Sequence, residues 1–250
     1  MEELINNYYL GYYQKVISDG SLMKKPVPEI EFMLLKSRIA LGQIDFVIST
    51  TKAEDSNVKK ALSLLSRFLK SKDASLIESL DNNLTKDPYY AICVSIILMN
   101  LERYLDALKI LRGIKHSEAG ALRVQSYLSL GLIDRAEAEL PSIDNEIQNI
   151  LSSAAVSLYQ NTDSVSEVLS KLLDTADSCG QSLLIQNTIA VCRFALSEWD
   201  TAYGEIQTCS TQNPQDESTE INMAVAMNQV ADFNSFETQV DLVVSKNNNM

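Results

Sequence analysis

The chain has 250 residues, 46% of them hydrophobic, with eight glycines and five prolines; that composition can bury a continuous core and is not that of a disordered chain. Its net charge of −12 argues against nucleic acid and anionic membrane as partners, because both require basic patches that replace counterions. The longest nearly uncharged apolar stretch, Tyr89 to Leu101, is shorter than the roughly 18 residues a membrane span needs, and the acidic start Met-Glu-Glu-Leu resembles neither a secretion signal nor a myristoylation site.

A phrase recurs along the chain. A small or turn-prone residue is followed two positions later by an apolar one, and by two more three and four beyond that. The copies begin at Gly11, Gly42, Glu102, Gly131, Asp163, Ser197 and Ala231, in steps of 31, 60, 29, 32, 34 and 34, with a blurred copy near Lys72 inside the long step. A fixed period of this size marks a stack of helical supersecondary units, each packed on its neighbours. In chain order the predicted hairpins are 1–20, 27–50, 57–84, 87–113, 116–142, 145–178, 181–211 and 214–246. They form a single repeat domain over 1–246, followed by a frayed tail at 247–250.

Each phrase sits at a helix–turn–helix junction. Asp87 is the expected N-cap and Pro88 the expected first residue of the helix before Glu102. Tyr104, Ala107, Leu108 and Leu111 then form the apolar stripe of the helix after it. The residue five beyond the start of the phrase (Val16, Val47, Ala107, Ala136, Val168, Ala202) is small because two helices joined by a short turn cross closely there. Pro28, Pro88 and Pro214 mark the starts of units.

The residues offer no chemistry of catalysis. Cys93, Cys179, Cys192 and Cys209 are irregularly spaced and read as free thiols on apolar helix faces in a reducing compartment. His116, the single histidine, lies in the turn Gly113-Ile-Lys-His-Ser117 and reads as a solvated turn residue. There is no glycine-rich phosphate loop, paired-histidine zinc pattern or Cys-x-x-Cys, so no catalytic residue, metal or cofactor is expected. The triplet Asn83-Leu-Thr85 matches a glycosylation acceptor, but no export signal accompanies it. Asp134, Glu137 and Glu139 read as a solvated outer face. Tyr8, Tyr9, Tyr12 and Tyr13 form an aromatic cluster, half of it core, the rest a partner contact or a contact closing the stack on itself.

The segment from Ala190 through Trp199-Asp-Thr-Ala202 to Pro214 resembles the tetratricopeptide repeat. The implied fold is an all-α, tetratricopeptide-like α-solenoid of about eight helical hairpins in a right-handed superhelix. The order of the copies is similar to one family, the epsilon subunit of coatomer. The likeness starts at Asn7-Tyr-Tyr-Leu-Gly-Tyr-Tyr-Gln-Lys15 and runs through Leu105-Asp-Ala-Leu-Lys-Ile-Leu111 and Leu132-Ile-Asp-Arg-Ala136. It is best from Cys179-Gly-Gln-Ser-Leu-Leu184 to Asn222. The hairpin at 57–84 is too diverged to match, and the family runs on past the position of Ser245 by roughly another hairpin. In that case the last apolar face, Met223, Val225, Met227 and Val230, is partly open.

The resemblance implies a non-catalytic structural subunit of the COPI coat that binds the C-terminal region of the coatomer alpha subunit, and other coatomer subunits indirectly. It implies a cytoplasmic protein peripheral to Golgi membranes and coated vesicles, working in Golgi-to-ER and intra-Golgi transport, with no nucleic acid and no direct membrane insertion. A homo-oligomer of the isolated chain stays open, as does a generic cytosolic tetratricopeptide adaptor. Such stacks bind through the concave side lined by the first helix of each hairpin. The expected partner-binding residues there are Phe32, Ile39, Tyr89, Ile92, Ile96, Met99, Gln125, Leu128, Asn187, Val191 and Phe194. They suit an apolar extended or helical segment. The cations on these helices (Lys36, Arg38, Arg123, Arg193) read as isolated, which argues against a clamp for a C-terminal carboxylate.

Overall fold

Where the first helix of a hairpin ends, one residue turns left-handed and hands the chain to the second helix. In a computed structural model describing residues 1–51, 56–77, 86–160, 162–213, 216–230, 240–241 and 244–245, Gly11, Gly42, Glu102, Gly131 and Ser197 all have φ between 58° and 82°. Each closes the same pair of backbone hydrogen bonds. At the second copy, Gly42 N donates to Ile39 O at 3.0 Å and Gln43 N to Arg38 O at 2.8 Å. This double closure satisfies carbonyls that the last helical turn would leave orphaned. The recurring phrase is therefore the sequence trace of one C-cap motif. Lys72, at φ 56°, is the blurred copy: it closes only the single bond to Phe68 O, at 2.7 Å.

The helices follow in order: α1 (Glu2–Tyr9), α2 (Tyr13–Ser21), α3 (Pro28–Ala40), α4 (Ile44–Thr50), α5 (Asn57–Ser71), α6 (Pro88–Asn100), α7 (Tyr104–Leu111), α8 (Ser117–Ser129), α9 (Ile133–Glu139), α10 (Glu146–Gln160), α11 (Thr162–Cys179), α12 (Leu183–Ala195), α13 (Trp199–Gln212) and α14 (Glu217–Val230). Short 3-10 turns at Ala74–Ile77 and Leu140–Ser142 follow α5 and α9. Among the described residues the fold is all-α, and the hairpins α1–α2, α3–α4, α6–α7, α8–α9 and α12–α13 fall where the repeat period puts them. The seventh phrase copy (231–237), Pro214, the triplet at 83–85 and the tail at 247–250 lie outside the described residues, as does most of the second half of the third hairpin.

The chain divides into two compact units, 1–152 and 153–250. In the first, α1 packs on α2 and α3, α3 on α4 and α5, α5 on α6, and α6 on α7 and α8. In the second, α11 packs on α12, and α12 on α13 and α14. Successive packing of this kind is that of an α-solenoid.

Two sets of small residues permit the close crossings. Val16, Val47, Ala107, Ala136 and Ala202, five residues after the left-handed position, are all 0% exposed, as the periodicity requires. The second set, on the first helices, went unread in the sequence: Ser37, Ser66, Ser95 and Ser126, in steps of 29, 29 and 31. Each is fully buried, with a hydroxyl that has no hydrogen-bond partner among the described residues. One copy departs from the pattern. Asp163 falls inside the first turn of α11, where an acidic side chain suits the helix N-terminus, instead of two residues before the helix.

The two helices of a hairpin start differently. Six first helices carry side-chain caps: Ser56 on α5, Asp87 on α6, His116 on α8, Asn145 on α10, Ser182 on α12 and Asp216 on α14; α1 and α3 carry none. Pro28 and Pro88 occupy the first position of α3 and α6. The second helices α2, α4, α7, α9 and α13 have no side-chain cap. Their N-cap residue already gives its N–H to the preceding helix.

Removing the orphan hydroxyl in Ser95→Ala should raise stability by about 1 kcal/mol, read as a Tm higher by about 2–4 °C. Around Gly42 and Gly131 an added Cβ meets nothing within 4 Å, so only backbone strain opposes it. Gly131→Ala should lower stability by about 1 kcal/mol and Glu102→Gly should raise it by a similar amount, both measurable by thermal unfolding.

Candidate functional site

The first helices of the first unit bring their polar side chains to one interior point. Glu118, the second residue of α8, is buried. Its Oε2 accepts from the Tyr8 hydroxyl of α1 at 3.3 Å, and its Oε1 pairs with the Lys36 ammonium of α3. Three helices far apart in sequence thus meet on one carboxylate. The Lys36 and Glu118 side chains are 19% and 9% exposed, so water screens the pair little. Burial pulls the Lys36 ammonium down to about 8, which leaves it charged at neutral pH beside its counter-ion.

Aromatic rings surround this pair. The Lys36 Nζ lies 5.5 Å from the centroid of Phe32, one turn earlier on α3. Phe32 packs against Tyr89 of α6 at 5.0 Å, and His116 meets both rings edge-on, at 6.5 Å and 5.8 Å. Tyr8 in turn makes edge-on contacts with Tyr9 and Tyr13. Cys93, on α6, is 0% exposed, and burial pushes its thiol up to about 12. It is held as a neutral thiol, the wrong form for a nucleophile.

His116 is not the solvated turn residue that its neighbourhood in the sequence suggests. It is the N-cap of α8: its Nδ1 accepts from Glu118 N at 3.2 Å, and its Nε2 is buried without a hydrogen-bond partner. Burial, with the Lys36 charge second, lowers its pKa to about 4.

The expected partner-binding residues divide by accessibility. Phe32 and Ile92 are fully buried, and Ile39, Tyr89, Ile96 and Met99 are half-buried against the same core. On α8, Leu128 is buried and Gln125 exposed. Val191 and Phe194 of α12 are half-buried, with Phe194 stacked on Trp199 at 5.2 Å. Asn187 is committed within the second unit: it donates to Thr219 Oγ1 at 2.9 Å and accepts from Asn222 Nδ2 at 2.8 Å, which ties α12 to α14. On α14 itself Met223 is buried and Val225 exposed.

The cations are not isolated. Besides Lys36, Arg38 bonds Gln43 and lies over the Phe46 ring, Arg123 holds Glu139 and the carbonyls of Leu111 and Ile114, and Arg193 holds Glu198 and Glu205. Each is spent on a neighbouring turn or helix. Three of the cysteines, Cys93, Cys192 and Cys209, are buried, while Cys179 is exposed; all four are free.

The sequence model of the coatomer epsilon subunit family matches residues 3–241. The chain belongs to this family. Among curated proteins, "Coatomer subunit epsilon" of Dictyostelium discoideum is 24% identical over 242 residues, covering 87% of this chain and 80% of that protein. "Coatomer subunit epsilon-2" of Arabidopsis thaliana is 27% identical over 242 residues, with 89% and 80% covered. "Coatomer subunit epsilon-1" of Oryza sativa subsp. japonica is 25% identical over 240 residues, with 89% and 82% covered. The family match runs through 57–84, the hairpin whose sequence has diverged most.

Glu118, the centre of the cluster, was not singled out in the sequence. An acidic residue in a first helical turn reads as an ordinary N-terminal charge, and only the fold shows that Lys36 and Tyr8 converge on it.

The His116 environment has a consequence for acid stability. In the unfolded chain its pKa is about 6.5, so on acidification the unfolded state takes up the proton first. The stability is fully present above about pH 6.5 and is lost as pH falls toward the folded value of about 4, up to about 3 kcal/mol in all. His116→Asn, which keeps a capping side chain, should flatten denaturant midpoints across that pH window.

Proposed function

We propose that this chain is a structural, non-catalytic subunit of the coatomer (COPI) vesicle coat, holding the C-terminal region of the alpha subunit on the inner side of its first helices. Its place is cytoplasmic, peripheral to Golgi membranes and coated vesicles, in Golgi-to-ER and intra-Golgi transport. The observation that carries the reading is the family match over residues 3–241.

Other features support it. Among the described residues no helix is long and apolar enough to cross a membrane, and the net charge of −12 suits a protein partner better than a phosphate-bearing one. Each unit offers half-buried apolar residues on its first helices: Ile39, Tyr89, Ile96 and Met99, with the exposed Gln125, in the first, and Val191 and Phe194 in the second. An interface core of aromatic and aliphatic anchors with few charges is what a lasting complex uses. Lys36, Arg38, Arg123 and Arg193 are each paired within the chain, so none of these four stands open to a terminal carboxylate while its internal contact is made.

Co-expression with the C-terminal domain of the alpha subunit from the same organism, followed by size-exclusion chromatography, should give one stable one-to-one peak. Separate elution would refute the reading. Gln125→Lys and Val191→Glu should each weaken that complex at least tenfold while the Tm of the free Gln125→Lys protein stays unchanged. Normal binding by both would move the interface off the inner side.

A further inference from the structure

In the first unit the inner side is not an open groove. Phe32 and Ile92, expected to face a partner, are 0% exposed, and the layer over them is made by the chain itself. Phe32 packs on Tyr89 and His116, and beside it Lys36, Tyr8 and Glu118 join α3, α1 and α8. A partner cannot reach Phe32 while this junction is made, and Ile92 lies in the same buried core.

Charge also ties α3 to α5 through Glu31 and Lys59, but this junction joins three first helices, α1, α3 and α8, on one carboxylate. Its two halves differ. Glu118 stands at the N-terminal turn of α8, where a carboxylate swung into water keeps both hydration and a favourable helix end. Lys36 stands mid-helix on α3, its ammonium over the Phe32 ring. Once Glu118 leaves, the ammonium and the Tyr8 hydroxyl remain as two donors in an apolar setting, where an unpaired charge is strongly disfavoured.

We propose that Glu118, bonded to Lys36 and Tyr8, is a clasp that keeps the inner side of the first unit closed in the free protein, and that the bound partner opens it by inserting an apolar segment whose own carboxylate replaces Glu118 on Lys36 and Tyr8. The proposal rests on the coat-subunit reading for the identity of the partner, but the closure itself is testable without one.

Hydrogen exchange on the full chain tests the closure. Glu118→Ala should speed amide exchange at least tenfold in α1, α3 and the start of α8 and leave α12 to α14 unchanged. Unchanged exchange, or an equal rise in both units, overturns the clasp. The double variant Lys36→Met, Glu118→Leu, which replaces the pair by apolar side chains, should restore protection; failure to do so also counts against it.

Binding kinetics with the C-terminal domain of the alpha subunit test the replacement. Glu118→Ala should associate at least tenfold faster than the natural chain. Lys36→Met added to Glu118→Ala should then weaken the complex at least tenfold, because the incoming carboxylate loses its cation. If Lys36→Met has no effect in that background, or Glu118→Ala does not speed association, the replacement is wrong. If neither protein binds the alpha domain at all, the coat reading fails while the exchange result still decides the clasp.

Discussion

Left-handed closure at the end of five first helices sets the geometry from which the repeats follow. At Gly11, Gly42, Glu102, Gly131 and Ser197 the backbone turns with φ positive and spends two N–H groups on the carbonyls of the turn behind it. The second helix can then begin only two residues later, folded back against the first. Fully buried Val16, Val47, Ala107, Ala136 and Ala202 sit where that return brings the axes together. Small side chains there are required by the turn, because a longer one would push the helices apart. Lys72 shows the constraint relaxed: it makes one closing bond, and a 3-10 turn at Ala74–Ile77 follows it where α-helix begins after the double closures.

Much of this was legible in one sequence because the turn repeats and its chemistry is local. A glycine or a lone polar residue at fixed spacing, an apolar residue two on and a small one five on are short-range facts, and so are Asp87 and Pro88 at a helix start. The serine ladder of Ser37, Ser66, Ser95 and Ser126 was equally periodic, but serine is mostly an exposed residue and its hydroxyl gives no sign of burial. The cluster on Glu118 was not legible. Tyr8 and Glu118 are 110 residues apart, and no local pattern tells a first-turn glutamate that reaches water from one that reaches across a unit. His116 misled for the same reason, since a histidine in a polar turn gives no sign of the rings of Phe32 and Tyr89 that close over it.

The charges follow one economy. Lys36, Arg38, Arg123 and Arg193, which lie on first helices, are committed to internal partners, so the cations tie turns together while unpaired acid is left to the surface. An outer surface rich in Asp and Glu keeps the protein in solution, and an inner side whose cations are already satisfied discriminates against acidic peptides at large. Between α12 and α14 of the second unit the tie is made instead by amide and hydroxyl groups: Asn187 donates to Thr219 and accepts from Asn222.

The unequal starts of the two helices in a hairpin bear on how the chain is assembled in time. A first helix such as α6 or α12 brings its own cap, in Asp87 or Ser182, and so can hold its opening turn while the residues after it are still being synthesised. A second helix such as α7 or α13 has no cap of its own and takes its first turn from the closed end of the helix before it. Within a hairpin the dependence therefore runs one way: the second helix needs the closed end of the first, and the first does not need the second to fix its opening turn.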